Sequence, residues 1–316
     1  MGSTLPSSAA GGLEGTRQPA GGDATVGAGG PLRPAWRGGA HGRYALRRMP
    51  PSADLAHAVE RFWVTEWDLT ALPDPVHTVE VLPHPVVNIF FTAGEAGFAG
   101  PGIERFAYPL EGRGRVFGVK LRPGAGFPLG RIPLHRLADA TLPLAAVLGP
   151  DAGTEDVTAR ILAVPPGPAS DAAQLAIAEA FLRPRIAALA ADPNAELVNG
   201  LVHRLLFGDR RTLRVQDAAR EAGLSMRGLQ RLFARYVGVP PKQVLLRYRL
   251  HEAADRIAAG PVRDWAALAD EMGYADQSHF VRDFARAVGV TPTAYAAECA
   301  ADRLAASDAA PGLPVP

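Results

Sequence analysis

The sequence predicts an α+β multidomain protein: a small β-rich N-terminal domain, a helical connector and an all-α C-terminal domain. Three observations predict it. Short β-branched and aromatic runs divided by Pro and Gly fill the stretch from about Pro51 to Arg122, helical periodicity replaces them from about 133, and the segment 218–241 recurs in altered form at 267–292. The boundaries that follow are a tail at 1–47, a β-rich domain at 48–148, a connector at 149–191, the all-α domain at 192–299 and a second tail at 300–316.

A chain of 316 residues has room for two domains, each with a core of its own. Hydrophobic residues make up 47%, yet no apolar run reaches the length of a membrane span, so no membrane association is expected. The single cysteine, Cys299, excludes an intrachain disulfide framework and an all-cysteine metal cluster, which fits a cytoplasmic setting. No apolar segment follows a basic start at the N-terminus, so no secretory signal is expected. Twelve of the first fifty residues are glycine with few large apolar neighbours, the composition of a disordered tail.

Each element has its own signal. "LAHAVERFWVTEWDL" opens as a helical turn and runs into a strand, and "HTVEVL" and "VVNIFF" are strands divided by "PHP". "GRVFGVKLRP" alternates Val116, Gly118, Lys120 and Arg122 against Phe117, Val119 and Leu121. Helices are expected over "LHRLADATLPLAAVLG", "TEDVTARILAV" and "DAAQLAIAEAFL", the last ended or kinked by Pro184.

The recurrence carries the functional reading. Ala219 and Gly223 correspond to Ala269 and Gly273, while Arg231, Phe233, Gly238 and Pro241 recur as Arg282, Phe284, Gly289 and Pro292. Each copy reads as a helix-turn-helix, at 213–236 and 264–287. The alanine lets two helices cross closely, and the glycine supplies the left-handed conformation that ends the first helix. Ser225 and Asp276 are placed to cap the second. In the first copy Leu229, Leu232, Phe233 and Tyr236 share one face and form core, leaving Arg227, Gln230 and Arg231 for solvent. In the second, Phe280 and Phe284 are core, while Gln277, Ser278 and Arg282 face outward. Arginine and glutamine at such spacing suit guanine and adenine edges in a major groove.

The paired motifs, joined by "KQVLLRYRLHEAADRIAAG" with R-L-x-x-A-x-x-x-I at 249–257, resemble the DNA-binding domain of the AraC/XylS family of bacterial transcription regulators over about 192–299. The resemblance implies two recognition helices entering successive major grooves on one face of double-stranded DNA. It implies base contacts from Arg227, Gln230 and Arg231 and from Gln277, Ser278 and Arg282. His279 would lie near the backbone, Lys242 would reach phosphate, Ser225 would complete the DNA-binding set, and Val281 would pack on a thymine methyl. Residues 204–256 hold twelve Lys/Arg against five Asp/Glu, and 257–300 hold three against six. The first copy and the linking helix are therefore expected to supply most phosphate affinity, and the second copy selectivity or a surface for a protein partner such as RNA polymerase.

Upstream, "VEVLPHPVVNIFF" and "VFGVKLRPGAGFPLGRIPLHRLADATLPLAAVLG" are similar to a domain that precedes such motif pairs in actinobacterial regulators, which implies a sensor or dimerisation unit. This chain has Asn88 where the family form tends to have an acidic residue. Candidate effector-binding residues are Trp63, Trp67, Asn88, Lys120 and Arg122. Lys120 and Arg122 suit an anionic small molecule, while Arg122 equally suits a loop carbonyl and the tryptophans equally suit core. The resemblance implies a homodimer, with the helices between about 133 and 190 as candidate interface. His77, Glu80 and His84 raise a metal question, but odd separations set His77 opposite the other two on a strand, so no metal and no cofactor are expected.

Two other functional classes compete. An enzyme or metal-binding domain fused to a DNA-reading module finds no G-x-S-x-G, Walker or dinucleotide motif, and Cys299 stands alone. A non-specific DNA-associated protein would rely on charge, whereas Gln230 and Gln277 are neutral amides suited to base edges.

Overall fold

The computed structural model describes residues 16–17, 43–72, 76–187, 189, 192–207 and 214–308. Nine strands occur among the described residues: β1 (Thr16–Arg17), β2 (Arg43–Met49), β3 (Val59–Asp68), β4 (Val76–Val81), β5 (Asn88–Phe91), β6 (Ala96–Ala99), β7 (Phe106–Glu111), β8 (Arg113–Leu121) and β9 (Ala140–Pro143). Seven form an antiparallel sheet in the order β1-β9-β6-β5-β8-β3-β2, and β4 pairs with β7 as a separate ribbon. The alternation read along β8 is what builds its two faces. Phe117, Val119 and Leu121 join Phe62, Val64, Ile89 and Phe91 in the main core, while Val116 packs with Trp63, Phe90 and Ala99 on the opposite face. Gly118 lies opposite Trp63 and Gly114 opposite Trp67, with the indoles over the space a Cβ would need.

Helices α1 (Gly126–Gly130) and α2 (Leu144–Leu148) are short. Helices α3 (Thr154–Ala163) and α4 (Asp171–Ala187) close the main core with Val157, Ile161, Ala178, Leu182 and Ile186. The connector's buried side chains are therefore part of the first domain's core.

Three further expectations are corrected. The helix expected over 134–149 is a 3-10 turn (Leu134–Arg136), strand β9 and then α2. Asp139 adopts φ +53° and interrupts any helix, and Ala140–Pro143 pair as strand β9 before α2 begins at Leu144. Pro184 sits inside α4, which continues to Ala187, so of the two outcomes expected there it does not end the helix. So close to the helix end the proline removes one ladder bond, and buried Leu182 and Ile186 hold the turn around it. The tail expected at 1–47 gives way to strand β2 at Arg43, because Arg47 bridges Glu66 of β3 at 2.8 Å and Asp171 of α4 at 2.9 Å. Residues 1–15 and 18–42 lie outside the described residues. At the other end the helix α11 (Pro292–Asp308) runs on through 300–308, and 309–316 lie outside the description.

The remaining helices are α5 (Pro193–Phe207), α6 (Val215–Glu221), α7 (Met226–Tyr236), α8 (Pro241–Ala259), α9 (Trp265–Glu271) and α10 (Gln277–Val288). They enclose two separate apolar clusters. One gathers α5, α6 and α7 around Val202, Leu229 and Phe233; the other gathers α9, α10 and α11 around Phe280, Phe284 and Tyr295. Helix α8 gives Val244 to the first and Leu250, Ala254 and Ile257 to the second. Among the described residues no helix is long and apolar enough to cross a membrane.

Candidate nucleic-acid interface

The two copies fold by the same local rules. In α6, Ala218 and Ala219 are buried; Gly223 then takes φ +67°, which lets Leu224 N donate back to Ala219 O at 2.9 Å and closes the helix. In the second copy Gly273 takes φ +73° and Tyr274 N donates to Ala269 O at 2.9 Å. Ser225 Oγ accepts from Gly228 N at 3.1 Å, and Asp276 Oδ1 accepts from His279 N at 2.7 Å, so each recognition helix begins on the cap its sequence provides.

Burial then sorts the faces. Leu229, Phe233 and Tyr236 are buried in α7, with Leu232 half-buried, and Arg227, Gln230 and Arg231 are exposed. In α10, Phe280 and Phe284 meet edge to face with centroids 5.6 Å apart, and Gln277, Ser278, His279 and Arg282 are exposed. Val281 is half-buried against the second cluster. His279 Nε2 lies 3.3 Å from Asp283 Oδ2, and Arg282 Nε donates to its own helix at Ser278 O, 3.3 Å away. Lys242, on the first turn of α8, is exposed.

Tertiary contacts redistribute the charge that the sequence places on this domain. Arg247 donates to Ile103 O of the first domain, Arg249 Nη1 to Gly273 O at 3.2 Å, and Arg256 pairs with Glu252 and Glu271. Arg220 pairs with Asp217, and Arg204 with Glu221. The linking helix thus directs three of its cations at protein partners, and none of the ion pairs among the described residues engages Arg227, Arg231 or Lys242.

The five residues marked for an effector divide. Trp63, Asn88 and Lys120 share the sheet face opposite the main core and are buried there. Trp67 Nε1 donates to Glu111 O at 3.1 Å. Lys120 Nζ bonds Glu60 Oε1 at 2.9 Å, and burial pulls the ammonium down to about 8 despite that carboxylate. Arg122 Nε donates to Ala56 O at 2.5 Å, the loop-holding role its position also suited. Lys120 and Arg122 therefore do not form a paired cationic site. His77, Glu80 and His84 do not converge either: His77 lies opposite Leu110, Glu80 pairs with Arg105, and His84 stacks on His251.

That stack belongs to a junction which sequence reading missed. His84, Leu82 and the loop 100–105 of the first domain meet α8 and the ends of α7 and α10. The only trace in the sequence is the G-V-x-P closure itself, whose glycines turn out to be contact points.

Residues 47–143 match a domain of unknown function, DUF6597, and residues 218–298 match the family described as Helix-turn-helix domain. No curated protein matches the sequence. Among solved structures, ToxT from Vibrio cholerae in a P21 form aligns at 14% identity over 82% of this chain and 98% of that one, with a TM-score of 0.38. ToxT from Vibrio cholerae O395 bound to (E)-4-(8-methylnaphthalen-1-yl)but-3-enoic acid aligns at 14% identity over 82% and 99%, with a TM-score of 0.37. Superposition this loose sets no correspondence between residues. The family match and the duplicated, capped motifs together make this chain a carrier of an AraC-type helix-turn-helix DNA-binding domain, preceded by a DUF6597 domain.

Proposed function

We propose that the protein is a sequence-specific transcription regulator that reads two successive major grooves of double-stranded DNA. The observation that carries this reading is the pair of exposed polar faces, Arg227, Gln230 and Arg231 on α7 and Gln277, Ser278 and Arg282 on α10, at either end of one continuous helix. At 1.5 Å per residue, the 19 residues of α8 span about 28 Å, close to the roughly 34 Å between successive major grooves. Each face combines an arginine for guanine or phosphate with a glutamine for adenine. Ser225 caps with its oxygen and keeps its hydroxyl proton for a phosphate, and the exposed Lys242 and His279 add to the DNA-binding set.

A small-molecule effector is part of this reading. Trp63 Nε1 and Asn88 Oδ1 are buried on one sheet face without hydrogen-bond partners, and a buried donor and acceptor left open are what a polar ligand satisfies. A homodimer and RNA polymerase are the protein partners it calls for.

The test is selection from a random DNA pool by the full chain. Enrichment of a two-part motif with its halves about one helical turn apart supports the reading. Binding without enrichment, with affinity set by salt alone, would replace it with non-specific DNA association.

A further inference from the structure

The two reading units share no apolar core. Their clusters are separate and joined along α8, so the angle and distance between α7 and α10 rest on one helix and on whatever braces it from outside. A single segment of the first domain, Pro101–Arg105, touches all three parts.

Its contacts fall at equivalent points of the repeat. Gly238 closes α7 with φ +86°, and a Cβ there would strike Pro101 and the Leu134 carbonyl. Gly289 closes α10 with φ +91°, and a Cβ there would strike the Arg105 guanidinium. Between them, Arg247 of α8 donates to Ile103 O. Arg105 Nη1 donates to Val288 O at 3.3 Å, placing a cation at the C-terminal end of a recognition helix, and is held by Glu80 Oε2 at 2.8 Å. The segment is itself anchored: Asp139 Oδ1 accepts from Ile103 N at 2.6 Å and Glu104 N at 3.0 Å, and Asp139 N donates to Pro101 O at 3.1 Å. Helix α7 is also held to the first domain by Phe127 against Tyr236 at 4.9 Å and by His135 Nδ1 at 3.2 Å from Ala234 O. A cavity of about 370 Å³, lined by Glu104, Gln243, Asp283 and Arg286 among others, lies beside Pro101–Arg105.

Resting on the DNA-reading function above, we propose that Pro101–Arg105 is a specificity-determining wedge: it holds the two recognition helices at a fixed separation and so selects the spacing between the two half-sites the protein accepts. One base pair more or less between half-sites shifts the second by about 3.4 Å and turns it by about 35° around the DNA axis. A braced pair of readers cannot follow that change. A pair hinged on α8 alone can follow it by bending or rotating.

The test uses the full chain and its selected two-part site, with base pairs removed from or added between the halves, for wild type, Arg105→Ala and Glu80→Gln. Wild type should lose roughly tenfold or more in affinity at a spacing changed by one base pair, in line with the cost of a mismatched contact. Arg105→Ala should flatten that penalty to a few-fold while losing little at native spacing, and Glu80→Gln, which keeps the guanidinium charge, should flatten it partly. An unchanged spacing profile in both variants would overturn the wedge. So would an equal loss at every spacing, which would make Arg105 a phosphate contact only. If wild type enriches no motif at all, the DNA-reading function fails first and the wedge falls with it, an outcome visible before any variant is measured.

Discussion

His84 and His251 stack face to face across the junction between the two halves of the chain, with ring centroids 3.7 Å apart and planes 12° from parallel. Tyr248 meets His84 edge on at 5.2 Å, and a His251 ring nitrogen lies 3.4 Å from Pro83 O. Burial, then Lys120, Arg247 and Arg61, holds the His251 imidazole down to about 3, and burial, then His251 and the same cations, holds His84 well below its usual value. Glu60, Glu252 and Asp255 line the same cavity, with Lys120 and Arg61 already on Glu60.

Both histidines therefore stay neutral when folded and take up protons when the junction opens. Because the folded value lies below the unfolded 6.5, no penalty exists above that pH, and stability falls as pH drops below it. Thermal unfolding of the full chain should show a midpoint that declines from about pH 6.5 toward about 5. His251→Phe keeps a stacking ring without the titration and should reduce that decline. An equal decline in both proteins would put the acid sensitivity elsewhere.

The division of charge makes a prediction about salt. Arg231 is exposed on a basic unit, whereas Arg282 bonds its own helix beside Asp283, which also holds Arg286 at 3.5 Å. Arg231→Ala should lower the slope of log affinity against log salt by about 0.9, the value of one released phosphate contact, and Arg282→Ala by less. Equal slopes measured by fluorescence anisotropy would refute the division.

The caps should be worth similar amounts. Ser225→Ala and Asp276→Ala each leave one donor at the start of a recognition helix without its side-chain acceptor, at about 1 kcal/mol. Urea unfolding should register the loss with the slope unchanged. Asp276→Asn should recover most of it, since an amide oxygen caps as well.

Gly289→Ala should destabilise by more than about 1 kcal/mol, because its left-handed φ and the Arg105 guanidinium both oppose a Cβ. Combining it with Arg105→Ala should relieve part of the cost. A double mutant whose effects simply add would show that the guanidinium contact contributes nothing.

The sequence by itself determined the elements governed by local chemistry. Gly223, Gly273, Ser225 and Asp276 each act within a few residues, so chain punctuation predicted helices α6, α7, α9 and α10 and the span of α8. It likewise predicted the alternation of β8. Strand β9 escaped because it is only four residues long, Ala140–Pro143, directly before α2, and the break ahead of it appears only in the left-handed φ of Asp139; β2 escaped because its ion pairs come from β3 and α4. Tertiary structure alone decided which arginines are taken up by contacts within the chain: Arg247 and Arg249 sit among basic neighbours in the sequence, yet they bond carbonyls 144 and 24 residues away. It also decided that Gly238 and Gly289 meet one segment, Pro101–Arg105. Such contacts join residues far apart in the chain, and their energy depends on where whole domains dock, which no local pattern encodes.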